Sequence, residues 1–406
     1  MPVHPPRSTL LSIKSISLIV VAVLLALLSQ RFLNLRASVT RTATAPSLAN
    51  TKKNNAMAFS TDIASLKKQW REALDELPST PDNIPAFFLA HGHPMTIWPK
   101  HVPKPEGRLG ATFKWGGPDG PLGLFLDDFG PVLLEKYKPK GIVVFSAHWE
   151  TNNQRLVSDY GDENPLLMDY YGFNPELYKL EFKSRGDKAL TSRVVEAFTK
   201  AGMPARPSPS TEVRGRDGRP RVGSAPLPSG AVLGAGFDHG VFMPFMRMFR
   251  ASQTKSSPAS TLPPIVEVSI DSSLDPTYHL KIGQAVQDLR KEGVLVISGG
   301  LTVHTFQDFS AFSLETAGEE YTAWDKAVGD AVEVEDPTER TKALLSLTSH
   351  PGFRLAHPRE DHFIPLYVAA GAGGVGSPQE KEGKLNLKAK VLSRIYGGSS
   401  FVFGLE

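Results

Sequence analysis

The sequence predicts an α/β fold: a single domain with a largely parallel central sheet flanked by helices. Three observations carry this prediction. Short apolar runs rich in β-branched and aromatic residues alternate with segments of helical period, and histidines stand where several of the runs stop.

The first 57 residues are set apart as leader and linker, leaving 58–406 as the folded domain. No acidic residue precedes Asp62, whereas Arg7, Lys14, Arg31, Arg36, Arg41, Lys52 and Lys53 all do, so the net charge of +3 belongs largely to the leader. It is no argument for nucleic acid as a partner. The run "SISLIVVAVLLALLS", Ser15 to Ser29, is short of a bilayer span, but a start at Leu10 with Lys14 snorkelling reaches one. The Arg-, Ser- and Thr-rich stretch behind it reads as an organellar presequence. The expectation is a membrane anchor over about residues 10–30, or a cleaved mitochondrial-type or secretory leader, ahead of a soluble catalytic domain.

"STDIASLKKQWREALDELPST" repeats Ile63, Leu66, Trp70, Leu74 and Leu77 at helical spacing, with Thr61 as N-cap and Pro81 past the end. "IPAFFLA" then predicts a strand that stops at His91. Residues 99–130, rich in Gly and Pro, read as a loop or insertion. A helix through "PVLLEKY" leads to the strand "GIVVFSAHW", which delivers His148. "GDKALTSRVVEAFTKAG" is an amphipathic helix closed by glycine, and residues 207–230 form a second, polar and proline-rich insertion. The strands "PIVEVSI" and "VLVISGG" follow, separated by the helix-like "PTYHLKIGQAVQDLRKEG". There is no internal repeat, and the insertions interrupt one domain rather than divide two.

Of eleven histidines, four share a setting. His91 follows "AFFLA", His148 follows "IVVFSA", His239 follows "AVLGAGFD", and His304 comes shortly after "VLVISGG". Open α/β sheets bind ligands at the carboxyl ends of their strands, where residues distant in sequence converge. A lone histidine there usually bonds a loop carbonyl; four point to a shared metal or catalytic site. The chain has no cysteine, so a metal must be held by His, Asp or Glu. Imidazole suits Zn, Fe or Cu, and three ligands with open positions make a catalytic centre, leaving one histidine as acid or base. Asp238 suits two tasks, fixing the tautomer of a neighbouring imidazole and capping the helix "GVFMPFMRMF".

Six stretches, "FFLAHGHPM", "VVFSAHWET", "GFDHGVFMPFMRMF", "VEVSIDSSLDP", "VISGGLTVHTF" and "AHPREDHFIPLYVAAGAGG", together resemble the extradiol ring-cleavage dioxygenases of the LigB superfamily, in particular the DOPA 4,5-dioxygenase-like branch. They occur in the family's order across about residues 86–374. The resemblance implies that His91, His148 and His304 bind one divalent metal, Fe(II) for activity or the Zn(II) assigned to this branch. It makes His239 the acid/base histidine, which is sometimes counted as a fourth ligand. It also implies a catechol-type substrate, DOPA-like or other, into which both atoms of O2 are inserted. In protocatechuate-cleaving relatives the third ligand is a carboxylate; here that role falls to His304.

Where the family usually has serine after "HG", this chain has His93, which reads as a loop residue rather than a spare ligand. His362 matches a family position near the substrate pocket, and its alternative reading is a capping histidine. Glu267 reads as lying behind the ligands, Glu150 as bonding a loop, and His357 as structural. Rival readings are a zinc-dependent hydrolase and a non-catalytic Memo-like metal-binding protein.

Overall fold

The apolar runs form the middle of one mixed sheet. The computed structural model describes residues 59–170, 172–212, 214, 235–253, 261–384 and 386–406. Its strands are β1 (Ala86–Ala90), β2 (Gly141–Thr151), β3 (Arg155–Asp159), β4 (Ala205–Pro209), β5 (Ile265–Asp271), β6 (Val294–Gly300), β7 (Lys388–Ser393) and β8 (Ser400–Leu405). Their order across the sheet is β4-β3-β5-β2-β6-β1-β8-β7. The central run β5-β2-β6-β1 is parallel, and antiparallel pairs at β3-β5 and β1-β8-β7 join it to its flanks. Every residue of β1 and β6 is buried, which is why both read as apolar runs: strands covered on both faces have no reason to alternate.

The expected helices form where side-chain periodicity places them. Helix Ile63–Asp75 buries Leu66, Trp70, Ala73 and Leu74, and is capped one residue later than expected, by Asp62, whose carboxylate accepts from the Ala64 and Ser65 amides. Helix Lys188–Lys200 is capped by Asp187 and buries Val194, Ala197 and Phe198.

The reading of residues 99–130 as a loop is corrected. They contain helix Gly107–Gly116 and most of helix Pro121–Tyr137. Pro121 occupies the start of its helix, where a missing N–H costs nothing, and Leu122, Phe125, Leu126, Phe129 and Leu133 supply a buried stripe. Gly130 marks close packing rather than a turn, because a Cβ there would lie 2.1 Å from the Met248 carbonyl oxygen. In the second expected insertion, residues 207–209 belong to β4, and residues 215–230 lie outside the described residues. The expected anchor or leader lies outside them too. Among the described residues, no helix is long and apolar enough to cross a membrane.

Candidate active site

Sheet register brings the strand ends together. Ala90 of β1 pairs with Gly300 of β6, and Ser146 of β2 pairs with Gly299, so His91, His148 and the segment after Gly300 leave the sheet side by side. His91 is fixed by its own N–H, which donates to the Gly300 carbonyl at 3.1 Å. His148 sits on a bulge. Between Ser146 and Glu150 strand β2 advances four residues while its partner β5 advances from Ser269 to Ile270, which turns Ala147, His148 and Trp149 out of the regular ladder.

His362 arrives by a different route. The Leu301 amide donates to its carbonyl at 2.8 Å, and the chain approaches so closely that a Cβ on Gly300 would lie 2.3 Å from that oxygen. Gly300→Ala is therefore expected to cost about 1–3 kcal/mol, measured by urea denaturation, and to displace His362.

Five imidazoles meet as a result. The His91 ring lies 4.9 Å from His148, 5.2 Å from His362 and 6.0 Å from His239, centroid to centroid. His148 lies 4.0 Å from His239, and His304 stacks flat on His362 at 3.5 Å. All five line one cavity of about 730 Å³. Ring nitrogens of His91, His148 and His362 come within 4.8 Å of one another, as do ligand atoms of His304, Asp361 and His362, and of His148, Asp169 and His239. The structure thus places the four strand-end histidines and His362 on one cavity, but the ring nitrogens grouped with those of His91 and His148 are those of His362, while His304 is grouped with Asp361 and His362.

These residues fit a cation. His91 Nδ1 bonds the Gly92 carbonyl at 2.7 Å, while its Nε2 is buried without a hydrogen-bond partner. That is the arrangement of a metal-ligating imidazole, whose second nitrogen is oriented by a carbonyl. His148 Nε2 and His362 Nε2 face each other at 2.9 Å, and two such lone pairs require a shared proton or a shared cation. Burial, helped by the neighbouring imidazoles, holds His91 well below its ordinary value, and burial lowers His362 to about 4 against the pull of Asp361. His304 is lowered by the same cause. Neutral imidazoles are the form that ligates metal.

His148 differs. Burial acts to lower it, but the Asp238 and Asp169 carboxylates, 3.4 and 3.5 Å from Nδ1, outweigh burial and hold it above its ordinary value. Asp238 takes the expected capping position and also faces an imidazole. It caps helix His239–Met248 by accepting from the Gly240 amide, and it faces His148 while accepting from Ser146 Oγ at 2.7 Å.

The partner of His239 escaped sequence reading. His239 Nδ1 donates to Asp169 Oδ1 at 2.7 Å, and the same oxygen accepts from the His239 amide at 3.0 Å. Asp169 is placed by a short parallel bridge in which the Leu167 amide donates to the Phe237 carbonyl. A carboxylate in an irregular segment carries no periodic signal; its one mark is isolation among apolar residues in "PLLMDYYGF". Burial lowers His239, with Asp169 opposing.

Arg214 was also missed. It is buried beneath the site, stacked 3.9 Å over the Trp149 ring, and donates to Asp238 at 2.9 Å and to both oxygens of Glu267. Glu267 is thereby joined through Arg214 to Asp238, which faces His148. Burial pushes it well above its usual range, and Asp238 adds to the push against the facing guanidinium. Glu150 is held by both terminal nitrogens of Arg359 at 2.6 Å. His357 bonds the Thr302 carbonyl, and His93 caps a short 3-10 turn.

The family described as "Catalytic LigB subunit of aromatic ring-opening dioxygenase" matches residues 85–404. The "4,5-DOPA dioxygenase extradiol-like protein" of Schizosaccharomyces pombe is 38% identical over 342 residues, covering 83% of this chain and 97% of its own. The 4,5-DOPA dioxygenase extradiol of Beta vulgaris is 29% identical over 303 residues, covering 74% and 91%. That of Escherichia coli K12 is 26% identical over 296 residues, covering 71% and 85%.

Proposed function

Since the chain belongs to the catalytic LigB family and is an extradiol aromatic ring-opening dioxygenase, we propose that its substrate is a catechol and that its reaction depends on one divalent metal. The observation that carries this reading is the convergence of His91, His148, His239, His304 and His362 on one cavity. His91 and His148 would hold the ion with His304, the ligand set implied by the sequence motifs. A second reading exchanges His304 for His362, favoured by the 2.9 Å between His362 and His148. Metal content of His304→Ala and His362→Ala decides between them: the variant that loses the ion has lost the third ligand.

When bound, the ion supplies an electron path between O2 and the aromatic ring, with Fe(II) the active form and Zn(II) the alternative occupant. The protein's own part is proton transfer and exclusion of water. His239 Nδ1 is committed to Asp169, so Nε2 takes the proton of a catechol hydroxyl and later returns it. Asp169 fixes that tautomer and stabilises the imidazolium as it forms. Phenylalanines and Leu301 on the cavity wall keep the ring in an apolar setting.

His239→Ala is expected to lower turnover by about 10²–10⁴-fold while metal content stays at the wild-type level. Loss of metal in that variant would place His239 among the ligands. The reaction itself is tested on the full chain, reconstituted anaerobically with Fe(II) or Zn(II) and supplied with O2 and a catechol panel that includes DOPA. Iron-dependent O2 uptake with a yellow product is expected. Silence across the panel with iron fully bound would overturn the catechol reading.

A further inference from the structure

The cavity extends well beyond the imidazoles. Its volume of about 730 Å³ lies inside the usual range for small-molecule sites, and a cavity of roughly 150 Å³ already accommodates benzene. Most of the space is therefore left for whatever the ring carries.

The lining of that remainder is aromatic. Two residues after His304, Phe306 stands edge-on to its ring at 5.1 Å, and Phe312 lies 5.9 Å from Phe306 and 5.8 Å from Phe309. Phe306 is 67% exposed and Phe309 40% exposed, although both line the cavity. Large aromatic side chains held in water at the mouth of a cavity gain by covering an apolar ligand. Phe173 and Tyr170 contribute further aromatic surface. Among the described lining residues there is no Lys or Arg to receive a carboxylate, and the Asp169 carboxylate is bonded to His239.

Resting on the catechol reading above, we propose that the substrate bears an extended apolar substituent on its dihydroxylated ring. The imidazoles hold the ring, and Phe306, Phe309 and Phe312 hold the substituent. An amino-acid side chain on the ring would bring two charges to a wall whose described residues, at Phe306, Phe309 and Phe312, are apolar.

The test is calorimetry on the full chain loaded with Zn(II) under anaerobic conditions, titrated with 4-methyl- through 4-hexylcatechol and with DOPA. Burying one methylene strengthens binding by about fourfold, so Kd is expected to fall by about that factor per carbon until the wall is covered. DOPA is expected to bind more weakly than 4-ethylcatechol. In Phe306→Ser and Phe309→Ser the slope is expected to drop below about twofold per carbon, which separates this wall from general greasiness; 4-methylcatechol serves as internal reference. A flat series, an unchanged slope in both variants, or DOPA binding as tightly as the hexyl compound overturns the inference. Oxygen uptake by the Fe(II)-loaded chain is scored separately. Uptake with a flat series removes the inference and keeps the reaction, whereas a steep series without uptake keeps the apolar site and removes the reaction. A chain that binds none of the catechols removes both.

Discussion

Replacing His148 with Ala is expected to lower metal affinity by more than about 100-fold, beyond the 10–100-fold typical of losing a ligand's hydrogen-bond partner. The measurement is metal content after dialysis, followed by a competition titration with a chelator. His148 is central to the cluster: its ring lies within 5 Å of those of His91, His239 and His362. Its Nδ1 faces two carboxylates, which orient the ring and make Nε2 a stronger donor. His239 and His362 also present Nδ1 to a carboxylate, Asp169 at 2.7 Å and Asp361 at 3.4 Å, so the expected loss follows from the central position of His148. Far-UV circular dichroism is expected to be unchanged, because the bulge that carries His148 lies outside the regular ladder. Wild-type affinity in the variant would show that the ion is held elsewhere.

Arg214→Met is expected to destabilise the protein by about 3–5 kcal/mol, read from urea denaturation of the full chain. The guanidinium, 5% exposed, donates to two fully buried acidic side chains, Asp238 and Glu267. Removing it leaves the Asp238 carboxylate beside Glu267 without a cation, and a buried unpaired charge is among the most expensive defects a protein can carry. The double variant Arg214→Met/Glu267→Gln is expected to recover part of the loss, because only one carboxylate then lacks its partner. Equal losses in the single and double variants would show that the stacked Trp149 contact, rather than charge, is what Arg214 provides.

The sheet was legible in the sequence where burial is two-sided. β1 and β6 announce themselves as apolar runs because no face of either meets water. His91, His148 and His304 were legible for the same reason, since a strand's end is a defined place. β3, β4, β7 and β8 are short or lie towards the sheet's edges, and left no comparable signal. The part of helix Pro121–Tyr137 ahead of the legible "PVLLEKY" was hidden by its glycines and Pro121, which serve close packing and helix initiation there rather than turns.

The charged residues divide along similar lines. Asp238 was legible because capping has a fixed position relative to its helix. Asp169 and Arg214 were not, because each comes from irregular chain and becomes significant only when folding carries it against a histidine or a carboxylate from elsewhere. An arginine in a polar, proline-rich stretch reads as solvated, and most are.

The bulge in β2 separates two requirements that most strands must meet together. Upstream of it, Ile142 to Phe145 are locked to Ile265 to Val268, and a one-residue slip there would turn every core side chain to the wrong face. Between Ser146 and Glu150 chain length is uncoupled from that ladder. A residue gained or lost in this corner would change how far the imidazole reaches, and with it the span between the clustered imidazoles, without disturbing the sheet that holds the molecule together. The site is thus adjustable in evolution or in the laboratory by changing the length of one short corner, with the core left as it stands.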